Sequence, residues 1–294
     1  MTVATQLTPM GLGTGRLASL GSSLSRLQAT ELIHAAIDHG IRVIDTADTY
    51  GSGDAERTIG SALRERSRED CFLISKAGFA HVALPAVFSP LNQIGKKLVQ
   101  KVSPGRSFSK AYLISCVQKS LKRLGTDHLD AFLLHAAVAG EPTSESWEAL
   151  EEIRAKGLSR MTGVSSSDVD VVREGLASGQ VGVVETPVYV SASHADEICT
   201  LCAEQGVPVV ANEVLRPQAF LKTRADVWDA VRGRHGVASV STVQLLIAYA
   251  AAQRGVKTVL VGTLSSHHLV DNLQALQYSS SMHEFFAEMK ESFA

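Results

Sequence analysis

Apolar positions along this chain follow two alternating rhythms. Short runs of β-branched and aliphatic residues mark buried strands. Stretches with an apolar residue every three or four positions mark amphipathic helices. The first helical stretch is 30–39 (TELIHAAIDH), and Gly40 stops it. Strand patterns then fall at 41–44, 71–75, 129–134, 160–164, 183–188, 207–211 and 258–261. Each is followed in turn by a helical pattern, at 55–65, 109–124, 144–156, 168–177, 194–205, 242–253 and 266–276. Asp54 and Ser109 are suited to cap two of these helices, and Gly157 and Gly206 end two others. A last helical stretch covers 282–292.

That makes seven strand–helix units, and PMGLGTGRL supplies one more strand ahead of the first helix. Alternating units with short buried strands predict a parallel sheet covered by helices. Eight units in about 250 residues fit an α/β fold of the closed (β/α)8 TIM-barrel type better than a doubly wound open sheet. No linker rich in Pro, Gly or Ser divides the chain, so residues 1–294 are expected to form a single barrel domain. Residues 77–107 show no clean period and hold Pro85, Pro90 and Pro104. They predict a long loop after the third strand, longer than an ordinary connection.

Composition narrows the function. Lys and Arg number 28 against 30 Asp and Glu, a formal net charge of −2, so a nucleic-acid partner is not expected. No apolar run approaches the roughly 20 residues of a membrane span. The start, MTVATQLTPMGLGTG, lacks the features of a signal peptide, so a cytoplasmic protein is the expectation. Four cysteines in 294 residues do not make a disulfide framework. Cys199 and Cys202 have metal or redox spacing but lie inside a helical pattern without a second ligand pair, and read as helix interior with no metal. Gly11, Gly13 and Gly15 resemble a dinucleotide loop. The position that should carry its third glycine is Arg16, so a strand and turn is the better reading.

In a barrel of this kind the residues past the carboxyl ends of the strands converge on one mouth. Asp45 and Tyr50 follow the second strand, Lys76 the third and His135 the fourth. Singly, each has a bland reading: a turn cap, a loop aromatic, a solvated strand end, a core histidine. Together they bring a carboxylate, a phenol, an ammonium and an imidazole to one place. A tyrosine titrates near pKa ~10, too high for efficient proton transfer at neutral pH, and a neighbouring ammonium lowers that value. Asp45 would hold Lys76 charged, and His135 would donate a hydrogen bond to a substrate oxygen. None of these groups delivers hydride, which implies a nicotinamide cofactor.

IDTADTYG, the lysine of LISKAGF and the histidine of FLLHAAV resemble the signatures of the aldo-keto reductase superfamily. GVSSSD and VGTLSSHHLVDNL resemble its segments after the fifth and eighth strands. The resemblance implies a (β/α)8 barrel, a nicotinamide cofactor extended across the mouth, and reversible carbonyl reduction. It makes Tyr50 the general acid, Lys76 and Asp45 its tuning partners, and His135 the group that orients the carbonyl. It assigns cofactor contacts to Ser165, Ser166, Glu185, Asn212, Glu213, Leu215, Gly262, Thr263, His268 and Asn272. Ser166 stands where Asn is usual, Glu185 where Gln is usual, and Asn212 where an aromatic platform is frequent. Positions often basic in the family are Gly262, Leu264 and His268 here. NADP(H) is expected on the family's majority habit, whereas the local sequence, with Lys222 or Arg216 as its nearest candidate cations, leans to NAD(H).

The loop after Lys76 carries Lys96, Lys97, Lys101 and Arg106. It reads either as solvated surface or as a lid that draws in an anionic substrate. The short tail and the scarcity of aromatics, 5% of residues, suit a small aldehyde, ketone or sugar rather than a steroid. Two alternatives stay open: a lyase or aldolase with a Schiff base on Lys76, and a nonenzymatic nicotinamide-binding protein.

Overall fold

The computed structural model describes residues 6–17, 24–79 and 105–293. Eight parallel strands close into a barrel in chain order. They are β1 (Met10–Gly13), β2 (Val43–Asp45), β3 (Phe72–Ala77), β4 (Leu129–His135), β5 (Ser159–Ser165), β6 (Val183–Pro187), β7 (Val209–Asn212) and β8 (Val256–Val261). Met10 opposite Val259 and Leu12 opposite Val261 complete the closure. The expected (β/α)8 barrel is the observed fold.

The helices are α1 (Arg26–Asp38), α2 (Asp54–Leu63), α3 (Lys110–Leu124), α4 (Ser144–Ala155), α5 (Val169–Ala177), α6 (Ser193–Glu204), α7 (Gln218–Thr223), α8 (Ala225–Arg234), α9 (Thr242–Ala251), α10 (Ser266–Gln274) and α11 (His283–Phe293). Among the described residues no helix is long and apolar enough to cross a membrane.

Several boundaries differ from the sequence expectation. α1 begins at Arg26 rather than residue 30, because Ser25 and Gln28 form a reciprocal capping box there. Asp54 is the first residue of α2 and bonds Arg57, while Gly53 takes the cap position. Lys76 lies inside β3 rather than past it. α7 and α8 fill the β7–α9 connection, where no helix was expected; Trp228 and Val231 bury the inner face of α8. In the loop after β3, Phe79 and Arg106 form an antiparallel bridge. Lys96, Lys97 and Lys101 lie outside the described residues, and so does the lid reading built on them.

Side chains along a strand alternate between its two faces. In β3, Phe72 and Ile74 join the cluster inside the barrel with Val43, Ala131, Leu133, Val183 and Val210. Leu73, Ile44, Phe132, Leu134 and Val184 join the larger cluster between strands and helices. Counting two residues on from each inward apolar residue gives Asp45, Lys76, His135, Glu185 and Asn212. The interior is therefore apolar along most of its length, and its charged side chains stand at the carboxyl ends.

One contact shows how tight this interior is. A Cβ added at Gly163 of β5 would stand 1.9 Å from the Val183 carbonyl oxygen of β6. We predict that Gly163→Ala costs about 3 kcal/mol of stability or blocks folding. A urea midpoint equal to wild type would show that β5 and β6 do not approach this closely.

Candidate active site

Tyr50 opens a short 3-10 turn, Tyr50–Gly53, directly after β2. Gly51, Ser52 and Gly53 all have left-handed backbones, with φ of 60°, 56° and 87°. Glycine adopts this region without the Cβ penalty, which accounts for two of the three positions. The turn lays the Tyr50 ring against Gly15, where an added Cβ would sit 3.6 Å from the ring. Lys76 Nζ lies 5.6 Å from the centre of that ring. The His135 ring meets Tyr50 edge-on at 5.9 Å and Phe79 edge-on at 5.1 Å.

Lys76 is buried together with two carboxylates. Its ammonium donates to Asp45 Oδ1 and, at 3.0 Å, to Glu185 Oε2. Glu185 Oε1 accepts from Ser165 Oγ at 3.1 Å and from Asn212 Nδ2 at 2.6 Å. The Asp45 carbonyl accepts from the N–H and the hydroxyl of Thr14, at 3.0 and 2.8 Å, tying β1 to β2.

Charge follows from these contacts. Burial disfavours the Lys76 ammonium, but Asp45 and Glu185 outweigh it and hold its pKa above the usual lysine value. Burial raises the Asp45 carboxyl well above its ordinary range, and Glu185 adds to the effect. Burial opposes ionisation of Glu185 as well, yet Lys76 and its hydrogen bonds prevail and lower its pKa. For Tyr50 the largest single influence is Lys76, which lowers the pKa; burial together with Asp45, Glu185 and Glu213 exceeds it, and the phenol is raised. The ammonium acts in the expected direction, but the other influences outweigh it and leave the phenol less acidic than a free tyrosine. His135 is pushed down to about 3, by burial first and by Lys76 second. Its buried Nδ1 has no hydrogen-bond partner among the described residues.

Behind β3 stands a second polar cluster. Ser75 Oγ donates to Glu56 Oε1 at 2.7 Å, and Arg123 bonds the other oxygen of Glu56. The Asp48 N–H donates to the Lys76 carbonyl at 3.1 Å. Its carboxyl is pushed up to about 7 by burial and by Glu56, with Arg123 opposing.

Two cavities open at the mouth. One, of about 410 Å³, is lined by Tyr50, His135, Ser165, Ser166, Glu185 and Asn212, among others. Asp45, Glu213 and Gly262 also line it. The other, of about 540 Å³, lies at the start of α10 and is lined by Leu215, Gly262, Thr263, His268, Asp271 and Asn272, among others. The structure thus brings every residue expected at the site, except Lys76 in the layer beneath, onto the wall of one cavity or the other. Arg216 instead pairs with Glu213 at 2.9 Å, and neither it nor Lys222 lines either cavity.

Gly262 and Arg16 line both cavities, which therefore adjoin one another. Arg16 does not stand out in the sequence, because it follows the Gly11–Gly13–Gly15 pattern, which reads as a strand and turn. The rule that found Asp45 and Lys76, a polar residue beyond the carboxyl end of a strand, finds it too. Two of the non-glycine residues with left-handed backbones, Ala136 (φ 52°) and Glu213 (φ 52°), line the first cavity. Such strain costs about 1–3 kcal/mol each and collects at functional sites.

The residues present fit a nicotinamide carboxamide. Asn212 Oδ1 is buried without a hydrogen-bond partner among the described residues, beside Ser165 and Glu185. An amide NH2 would satisfy it. Among the described residues no cluster of His, Cys, Asp or Glu is arranged to hold a metal ion.

The sequence model of the aldo/keto reductase family matches residues 9–292, and the chain belongs to that family. It is 27% identical over 290 residues to the uncharacterized oxidoreductase YqkF of Bacillus subtilis (strain 168), spanning 92% of this chain and 87% of that one. It is 28% identical over 210 residues to the NADH-specific methylglyoxal reductase of Escherichia coli (strain K12), spanning 69% of this chain and 62% of that one. Among solved structures it resembles an aldo/keto reductase from Klebsiella pneumoniae in complex with NADP and acetate, with a TM-score of 0.73 and 26% identity over 96% of this chain and 90% of that one.

The depressed pKa of His135 gives a direct test. We expect it to stay neutral from pH 8 down to about 4. Resolved histidine ring signals in a proton NMR titration report this, and a His135 midpoint above 5 would contradict the buried placement.

Proposed function

We propose that this protein reversibly reduces the carbonyl of a small aldehyde, ketone or sugar to an alcohol, with a nicotinamide cofactor. The observation that carries the reading is the shared interior face of Asp45, Lys76, His135 and Glu185, with Tyr50 on the wall of the same cavity. The cofactor would supply the hydride. The chain's own residues hold the carbonyl and provide the proton. Tyr50 donates its phenolic proton to the carbonyl oxygen. Neutral His135 donates an N–H to that oxygen and fixes its direction. Lys76 favours the phenolate that remains, and Asp45 keeps Lys76 charged.

Ser165, Ser166, Glu185 and Asn212 would take the carboxamide, and Gly262, Thr263, His268 and Asn272 the adenosine side. Arg16 would reach the pyrophosphate, because it stands where the two cavities join. The start of α10 adds to this: Ser265 makes no side-chain cap bond, which leaves N–H groups for an anion. The side cavity sets Arg16 and His268 against Asp271. That balance gives a 2′-phosphate little support and weighs toward NAD(H) over the NADP(H) expected from family habit.

The Schiff-base alternative fares worse. An amine nucleophile must lose its proton, and two buried carboxylates hold Lys76 as an ammonium. A nonenzymatic binding protein is separated from an enzyme by turnover alone.

Fluorescence titrations with NADPH and NADH, followed by assays with a small aldehyde panel that begins with methylglyoxal, test the proposal. Binding of neither dinucleotide would refute it. Binding without oxidation across the panel would favour the nonenzymatic reading. Tyr50→Phe should slow turnover by about 10²–10⁴-fold with cofactor affinity nearly unchanged; turnover equal to wild type would remove Tyr50 from the acid role. Arg16→Ala should weaken dinucleotide binding about tenfold or more, and an unchanged Kd would place the pyrophosphate elsewhere.

A further inference from the structure

Lys76 needs one carboxylate for charge balance, and the barrel gives it two. Its side chain is 1% exposed, that of Asp45 5% and that of Glu185 1%. The second oxygen of Glu185 is occupied by Ser165 and Asn212, both neutral. His135 and Tyr50, which face the same space, are neutral as well. Glu213 at the rim is matched by Arg216, and Arg16 reaches the cavity from its junction with the phosphate side. The innermost group therefore carries one carboxylate beyond what its ammonium neutralises. With an amide at position 185, Lys76 and Asp45 would already balance, and a second cation would meet the repulsion of the ammonium. With Glu185 there, the excess negative charge must be met by a proton or by a cation. Burial, with Glu185 adding to it, favours a proton on Asp45 in this pairing.

Resting on the nicotinamide reading above, we infer that Glu185 makes this cavity prefer the oxidised, cationic nicotinamide ring over the reduced, neutral one, and that the oxidised form binds with release of the proton shared by the two carboxylates. The charges balance. One positive charge enters with the ring, one proton leaves to solvent, and the buried charge of the cavity is unchanged. The reduced ring brings no charge, so it displaces no proton. Reduction then ends in a favourable state. The carbonyl carbon gains a hydride and its oxygen gains the Tyr50 proton. One positive charge would remain on the nicotinamide and one negative charge on the phenol, in a cavity that Glu185 lines. The same stabilisation slows release of the oxidised cofactor.

The test is a pair of binding titrations by calorimetry, with the oxidised and reduced forms of whichever dinucleotide binds, in two buffers of different ionisation enthalpy. For the wild type we expect the oxidised form to bind about tenfold or more tightly than the reduced form at pH 8. About one proton should be released with the oxidised form and none with the reduced form. That ratio should rise as pH rises and shrink as pH falls, because proton release favours binding at high pH. Glu185→Gln should shrink the ratio about tenfold and abolish the proton release. Equal wild-type affinities, or a ratio and proton count unmoved in a folded Glu185→Gln, would overturn the inference while the nicotinamide reading stands. If the variant does not fold, the wild-type ratio and proton count decide alone. A wild type that binds neither form would refute the proposed function itself.

Discussion

An ammonium sealed inside a barrel must be met by negative charge, and Lys76 is sealed on every side. Isolated, it would lose its proton or prevent folding. Asp45 on β2 and Glu185 on β6 keep it charged, so an electrostatic requirement links three strands across the interior. Such a group adds little net stability, since desolvation offsets most of the attraction. Removing one member is another matter, because it leaves buried charge uncompensated at about 3–5 kcal/mol. The apolar residues beneath supply the stability that this layer consumes: Val43, Phe72, Ile74, Leu133, Val183 and Val210 fill the barrel below the charges.

The mouth is built against local preference in other ways. Ser52, Ala136 and Glu213 hold left-handed backbones that non-glycine residues rarely adopt. The turn at 50–53 is left-handed at three successive positions. From outside the barrel, the Glu56–Ser75–Arg123 contacts and the Asp48 N–H bond to the Lys76 carbonyl brace β3 behind its charged residue. Strain persists only where surrounding structure over-determines it, and this bracing provides that.

Much of this was legible in the sequence because period-2 alternation and the barrel rule act together. Once IRVID, CFLISK and FLLH are read as strands of one barrel, alternation alone turns Asp45, Lys76 and His135 inward. Glu185 and Asn212 obey the same count from Val183 and Val210. Less was legible where local and tertiary preferences part. The helices α7 and α8 lack a long clean period, and α8 is held by burial of Trp228 and Val231. Lys76 reads as a strand end because lysine is rarely buried, and only its two partners allow the strand to continue through it. Arg16 follows a glycine pattern that suggests another fold, and its position between two cavities is visible only in three dimensions. The acidity of Tyr50 was beyond reach for a related reason. The sequence shows the nearby ammonium, but the sum over burial and three carboxylates requires their positions.

That sum changes how the phenol must act. A tyrosine made acidic in advance would leave part of its protons in water and would be a poor donor at neutral pH. Here, against the pull of Lys76, burial first and then the carboxylates hold the proton on Tyr50. On the proposed function, what would then permit transfer is the charge that the reaction itself creates. If a nicotinamide binds as proposed, the positive charge left by hydride transfer would oppose the field of Asp45 and Glu185 on the phenol, and Lys76 would favour the phenolate. On the proposed function, proton donation would thereby be tied to hydride delivery, since neither the ammonium nor the carboxylates alone would release the proton at the moment a carbonyl oxygen needs it.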